Sequence, residues 1–127
     1  MGLLDGLMGN ATKADINEVE KELEVIIAEN EKIELAFKLV RDLIVFTNTR
    51  LILIDKQGMT GKKVEYLSVP YKSISRFSIE TAGHFDLDAE LKIWISSAIE
   101  PTISKQFRKD KSIYDVQKAL ASYVAKP

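Results

Sequence analysis

Cysteine is absent from this sequence, and histidine occurs once, as His84. The absence of cysteine excludes disulfide bonds and thiolate metal sites, and it is typical of a protein that works in the reducing cytoplasm. His84 has only Asp86 and Asp88 beside it in the same loop, fewer ligands than a stable metal site needs. With one imidazole and no thiol, the chain lacks most constellations that catalyse nucleophilic or metal-assisted reactions. We therefore predict a cytoplasmic protein without metal, cofactor or enzymatic activity.

A strong excess of either charge is absent as well, and so are long apolar segments. The net charge is −1, whereas a nucleic-acid-binding protein usually carries a clear basic excess. No apolar run approaches the roughly 20 residues that span a bilayer. No basic segment precedes an apolar stretch as it would in a secretory signal. The sequence therefore predicts neither a nucleic-acid partner nor a transmembrane segment.

The composition is that of one globular domain. The chain has 127 residues, of which 46% are hydrophobic and 29% charged. Residues 1–12 contain three glycines and are predicted to form a flexible tail. We expect residues 13–127 to form a single domain.

Charge is distributed unevenly along the chain. Residues 15–34 contain eight acids and two lysines, whereas residues 103–127 contain six bases and two aspartates. One interpretation is that both segments form solvated helix faces. The other is that the acidic segment of one subunit meets the basic segment of the next, which would set register and association rate.

A central stretch over residues 46–66 has the pattern of consecutive antiparallel strands. Asn48 and Thr49 separate two apolar runs and predict a short hairpin turn, since asparagine tolerates a positive φ. Gly58 and Gly61 bracket a second reversal. The apolar pattern predicts seven strands, which cover residues 33–41, 43–47, 50–55, 62–69, 74–81, 91–96 and 102–108. Residues 33–41 and 74–81 alternate, whereas 43–47 and 50–55 are apolar on both faces and are expected to lie centrally or to have one face covered by a helix or another chain. Helical spacing predicts helices over residues 15–28 and 112–123.

Some positions leave two interpretations open. Leu91, Ile93 and Ile95 would fill one strand face, which turns Lys92 and Trp94 outward. Trp94 would then be an interface residue, or it belongs to the core if both faces are covered. In the fourth strand, Leu67 is expected to be buried together with Val64, and Tyr66 less clearly so.

Several short motifs, in this order, resemble the bacterial pleckstrin-homology-like domain family. The matching motifs are FTNTRLIL (46–53), DKQG (55–58), TGKK (60–63), VPY (69–71), SIETAG (78–83) and ELKIWI (90–95). The resemblance implies an α+β, mainly β fold: a seven-stranded, bent antiparallel sandwich or partly open barrel capped by a C-terminal helix. The helix predicted over residues 15–28 would be an addition at the N-terminus.

The resemblance also implies self-association into a ring-like homo-oligomer. The expected function is therefore that of a non-enzymatic interaction or scaffold module, with Trp94 and Tyr66 as candidate contact residues and a further protein partner still to be identified. The alternative is a peripheral membrane module that binds phospholipid through Lys62, Lys63, Lys38 and Arg41. The first hairpin carries only Lys38 and Arg41, beside Asp42, where lipid-binding relatives carry several cations.

Overall fold

A computed structural model describes residues 13–39, 42–58, 62–81, 89–107 and 112–125. The chain divides into two compact units, Met1–Val69 and Pro70–Pro127. The described residues form seven strands in two antiparallel sheets, a one-turn 3-10 helix over Tyr71–Ser73 and two α-helices. The α-helices are α1 (Lys13–Leu23) and α2 (Ser112–Val124). The strands are β1 (Ile33–Lys38), β2 (Leu43–Thr47), β3 (Arg50–Gln57), β4 (Lys63–Pro70), β5 (Ile74–Thr81), β6 (Ala89–Ile95) and β7 (Ile103–Phe107).

The first unit contains a four-stranded sheet in the order β1, β2, β3, β4. Strands β2 and β3 pair with Phe46 opposite Leu51, so the predicted two-residue turn at Asn48 and Thr49 is confirmed. Every residue of β2 is buried. Helix α1 covers the face that carries Leu43 and Val45. That core consists of Val19, Leu23, Ala36, Leu43, Val45, Ile52 and Ile54, with Ile26, Ile27, Ile33 and Val64 beside it.

The opposite face of the same sheet is also apolar and buried. Phe37 and Phe46 contact each other edge to face, with ring centroids 6.0 Å apart. Leu35, Leu51 and Leu53 are buried beside them. Burial on both faces explains why β2 and β3 read as continuous apolar runs rather than as alternating ones.

The second unit contains a three-stranded sheet in the order β5, β6, β7, followed by α2. Strand β6 alternates between a buried face, with Leu91 and Ile93, and a half-buried outer face. Helix α2 buries Ile113, Val116, Ala119 and Leu120, which are the apolar positions of its helical repeat. Tyr71 stacks on Tyr123 at 4.9 Å between ring centroids, so the 3-10 helix is attached to the end of α2.

Several elements differ from the sequence-based expectation, among them β3, which ends at Gln57 rather than at residue 55, and β6, which begins at Ala89 rather than at residue 91. Helix α1 ends at Leu23 rather than at residue 28, and β1 ends at Lys38 rather than at residue 41. Leu67 is exposed, not buried, because β4 is an edge strand that few neighbours cover. The predicted tail over 1–12, the His84 loop, Gly61 and Arg41 lie outside the described residues. The prediction of a single domain over 13–127 stays a prediction.

Candidate interaction surfaces

The first surface is the outer face of the three-stranded sheet, where a tryptophan and an arginine meet. Arg76 of β5 lies opposite Trp94 of β6, and the Arg76 Cζ is 4.5 Å from the centroid of the Trp94 ring. A guanidinium at this distance is attracted by the ring quadrupole. Lys92 shares this face and forms ion pairs with Glu80 and Glu90, at 3.4 Å and 3.6 Å. The structure thus places Trp94 on the outer face, as one of the two interpretations expected.

Trp94 also holds the connection between β6 and β7. Its indole nitrogen donates a hydrogen bond to the Ile99 carbonyl, at 3.1 Å. The Ile95 amide donates to Thr102 Oγ1 at the other side of the connection, at 3.3 Å. Ile99 is 87% exposed although its backbone is held in this way. The Ile99 patch, defined as Ile99, Trp94 and Arg76, therefore presents a large apolar side chain to solvent beside an aromatic and a cation.

The second surface is the acidic face of α1 and the turn that follows it. Glu18, Glu20 and Glu24 are exposed, and Val25 directly after them is 83% exposed. Val25 lies outside the helix, beyond its last apolar position. The Val25 patch, defined as Val25 with Glu20 and Glu24, combines an exposed apolar side chain with negative charge.

The third surface is strand β4, which begins with Lys63, carries Tyr66 and is directly preceded by Lys62. Lys62, Lys63 and Tyr66 are exposed, and Tyr66 and Leu67 are each 37% exposed. Tyr66 and Leu67 are neighbours in a strand, so they lie on opposite faces of the sheet. Trp94 and Tyr66 belong to different sheets.

The four candidate cations for a lipid site are only partly brought together. Lys38 ends β1 and Lys63 begins β4, so antiparallel pairing places them at the same end of the sheet. Two strands separate them, which corresponds to about 14 Å between the outer strands. Asp42 and Asp55 lie at that same end, and Asp42 accepts a hydrogen bond from the Lys56 amide at 3.2 Å. Arg41 lies outside the described residues. The carboxylates reduce the positive potential that an anionic headgroup would meet.

One polar cluster was missed by sequence reasoning, and it surrounds Glu31. The Glu31 side chain is only 1% exposed, yet it is ionised and paired with Arg50. Arg50 Nε donates to Glu31 Oε2 at 2.8 Å, and Arg50 Nη2 donates to Oε1 at 2.9 Å. Thr47 and Thr49 donate to Oε2 at 2.7 Å and 2.9 Å, and the Ala28 amide donates to Oε1 at 2.9 Å. Five donors thus enclose the carboxylate.

This cluster, which we call the Glu31 clasp, sets the ionisation of its members. Hydrogen bonding by the Arg50 guanidinium, opposed by burial and assisted by Ala28, Thr47 and Thr49, lowers the pKa of Glu31 from its ordinary value of 4.5 to about 2. The Glu31 carboxylate raises the pKa of Arg50. Both carboxylate oxygens are occupied by protein donors, so the clasp positions backbone rather than offering a site to a ligand.

The clasp joins the segment after α1 to the β2–β3 hairpin. Arg50 also donates to the Ile26 carbonyl at 2.8 Å and to Ser68 Oγ at 2.7 Å. Asn48 Oδ1 accepts from the Lys32 amide at 2.8 Å, which holds the hairpin to the same segment. Asn30 has a positive φ of 69°, a conformation that asparagine tolerates better than most residues. The TNTR sequence at 47–50 is therefore a structural motif as well as a turn.

In the described part of the chain, no group of three or more histidine, aspartate or glutamate side chains is arranged to hold a metal ion. Within the same residues, neither helix is long and apolar enough to cross a membrane.

Two antiparallel sheets of four and three strands, with a C-terminal helix, define a mainly β protein with a pleckstrin-homology-like fold. The sequence model of the bacterial PH domain matches residues 2–124. The uncharacterized protein YjqA of Bacillus subtilis (strain 168) is 67% identical over 122 residues, which cover 96% of this chain and 98% of YjqA. The chain belongs to the bacterial PH domain family.

Two solved structures share the fold. The pleckstrin-homology domain from Shewanella amazonensis SB2B gives a TM-score of 0.81 at 54% identity, over 95% of this chain and 97% of that chain. A protein with a pleckstrin-homology domain from Shewanella loihica PV-4 gives a TM-score of 0.72 at 52% identity, over 85% of this chain and 92% of that one. The predicted family and the predicted fold class are thereby confirmed.

Proposed function

We propose that this protein is a non-enzymatic interaction module that assembles with copies of itself into a ring-like homo-oligomer. The observation that carries the proposal is the near-complete exposure of two apolar side chains, Val25 in the first unit and Ile99 in the second. Tryptophan and arginine are enriched at protein interfaces, and Trp94, with Arg76 over its ring, donates a hydrogen bond to the Ile99 carbonyl. The location of the protein in the cytoplasm stays a prediction, which rests on the absence of cysteine.

Two different patches on each subunit favour a ring over a two-fold dimer. In a heterologous contact, one surface of each subunit meets another surface of the next, and the arrangement closes if the rotation between subunits allows it. The Val25 patch carries two glutamates and the Ile99 patch carries Arg76, so these groups are opposite in charge, while the exposed Glu100 next to Ile99 opposes the attraction. The uneven charge pattern suggested a different partner for the acidic segment, the basic residues within 103–127, whereas the contact proposed here uses Arg76.

The character of the one carboxyl with a strongly shifted pKa among the described residues supports the proposal of a non-enzymatic role. Glu31 is the one carboxyl in the described residues whose pKa is shifted to about 2, and donors from the chain enclose it. A general acid or base needs a pKa near the working pH and access to a substrate. Glu31 has neither, which favours an interaction module.

The test replaces one patch at a time with a charge and measures mass by light scattering after size exclusion. The native chain is expected well above its monomer mass of 14.3 kDa, and Ile99→Asp and Val25→Asp are each expected at a lower mass than the native chain. An equimolar mixture of the two variants is expected at a higher mass than either alone, because each supplies the patch that the other lacks. Tyr114→Asp, at an exposed position of α2, is the matched control and should keep the native mass.

Two results would count against the ring. A native chain that stays at 14.3 kDa at high micromolar concentration would remove self-assembly altogether. A mixture with no gain in mass would show that the contact is not heterologous.

The alternative function is binding to anionic phospholipid at the end of the first sheet, where Lys38, Lys62 and Lys63 are exposed. Polybasic contacts of this kind weaken as salt screens the surface potential. This alternative predicts that the native chain binds phosphatidylserine vesicles at low salt and is released at high salt. Lys62→Glu with Lys63→Glu should abolish that binding, and a native chain that does not bind at low salt removes the alternative.

A further inference from the structure

The edge of strand β4 is better suited to pairing with a further strand than the edges of the other outer strands of the two sheets. The strand is eight residues long, and among the described strands only β3 is hydrogen-bonded to it. Around its start, Lys62, Lys63, Glu65 and Tyr66 are exposed and Val64 is half-buried. An edge strand presents a row of backbone donors and acceptors that a further strand can pair with.

The remaining edges are less suited to pairing. Strands β1 and β5 each carry an irregularity in their pairing with the neighbouring strand, and a bulge disrupts a regular ladder. Strand β7 has five residues. In β4 itself, Pro70 has no amide hydrogen and limits pairing to the preceding residues.

We propose that β4 pairs antiparallel with β4 of a second copy of this chain, about a two-fold axis through Val64. A two-fold axis normal to the sheet keeps every side chain on its own face. The residue at the axis must therefore lie opposite itself, and it lies between Val64 and Ser68, since Pro70 cannot donate to the ladder. Centring on Leu67 or Ser68 would place no opposite charge across from Lys63 or Glu65, so the charge pattern has to select among Val64, Glu65 and Tyr66.

Centring on Val64 brings unlike charges together. Lys63 of each copy then lies opposite Glu65 of the other, and exposed Lys62 lies opposite Tyr66, where its stem covers the ring. Centring on Glu65 would place two carboxylates opposite each other, which destabilises the pair. Centring on Tyr66 would place Glu65 opposite Leu67 and would lose both charge pairs.

The β4 contact is isologous, so it is separate from the heterologous contacts that close a ring. It uses neither the Val25 patch nor the Ile99 patch. A chain could form rings without the β4 contact, or the β4 contact without rings, and the experiments below distinguish the two.

The first experiment uses the absence of cysteine, which makes any introduced thiol unique. In the proposed pairing, only residue 64 lies opposite itself, at a distance that suits a disulfide. Mild oxidation of Val64→Cys is therefore expected to yield a covalent dimer. Leu67→Cys and Ile99→Cys are the controls and should yield much less of it. A Val64→Cys variant that dimerises no better than these controls, or less than Tyr66→Cys, overturns the proposal.

The second experiment reverses the charges in the Ile99→Asp background, where the ring contact is removed. This variant is expected at about twice 14.3 kDa. Adding Glu65→Lys or Lys63→Glu places like charges opposite each other twice and should weaken the dimer by about tenfold. Carrying both substitutions in one chain, or mixing the two singly reversed chains, should restore the dimer. Equal dimerisation of all these variants would overturn the proposal. So would a monomeric Ile99→Asp variant, whichever oligomer the native chain forms.

Discussion

Replacing Arg50 with alanine is expected to lower the free energy of unfolding at pH 7 by about 3 to 5 kcal/mol. The substitution leaves the Glu31 carboxylate buried without its principal partner, and an uncompensated buried charge typically costs that much. It also removes the donors to the Ile26 carbonyl and to Ser68. Small domains are stable by only about 5 to 15 kcal/mol, so the variant would lose a large part of its stability. Urea unfolding followed by far-ultraviolet circular dichroism measures the effect.

The matched control for this prediction is Arg76→Ala. Arg76 is exposed and lies over the Trp94 ring, so its loss should cost about 1 kcal/mol or less. A double variant, Glu31→Gln with Arg50→Met, removes both charges and should be less destabilised than the sum of the two single variants. An Arg50→Ala variant within 1 kcal/mol of the native chain would contradict the clasp as a stabilising element.

Acidification is expected to remove the contribution of the clasp between about pH 4.5 and pH 2. Because the pKa of Glu31 is lowered from 4.5 in the unfolded chain to about 2 in the folded one, folding favours the ionised form. Its contribution is therefore complete above pH 4.5 and is lost as the pH falls through the folded value. The shift corresponds to about 3 kcal/mol, of which about 2 kcal/mol is lost at pH 3.

This pH dependence is measured as a difference between the native chain and Glu31→Gln. Other carboxyls titrate in the same range, and subtracting the variant removes their share. The difference in free energy of unfolding should shrink by about 2 kcal/mol from pH 6 to pH 3. In the Arg50→Met background the same comparison should change much less, since the main cause of the pKa shift is gone. A difference that stays constant with pH in the native background would refute the assignment.

The local patterns in the sequence predicted most of the elements well. Strands β2 and β5 begin and end at the predicted residues, and α2 begins at Ser112 as expected. These elements are encoded by their own apolar spacing, which depends on neighbours a few positions away. The bacterial PH domain family was also identified from motifs that lie in the strands and turns of both units.

Where the expectation failed, the cause lies in contacts between distant segments. Helix α1 stops at Leu23 although apolar residues continue at helical spacing. The following turn is held by the bond from Arg50 to the Ile26 carbonyl, 24 residues apart in the chain. Leu67 was expected to be buried because its residue type is apolar, but its exposure follows from the position of β4 at a sheet edge.

The Glu31 clasp could not be predicted either, because it too depends on contacts between distant segments. Glu31 lies in an acid-rich segment that looks like ordinary surface, and Arg50 begins a strand 19 residues later. No local pattern links the two, because their pairing depends on how the turn after α1 approaches the β2–β3 hairpin. Residue type and strand position indicate Trp94 as a candidate interface residue, whereas only the exposure of Ile99 in the tertiary structure indicates that residue.

The sequence by itself determined the family, the mainly β fold, the hairpin at Asn48 and Thr49 and the burial of β2, since all of these depend on residue type and spacing. Tertiary structure alone decided which carboxyl is ionised inside the protein, where α1 ends and which apolar side chains remain in solvent. Those features depend on which segments meet, and a pattern of neighbouring residues carries no information about the partner across the sheet.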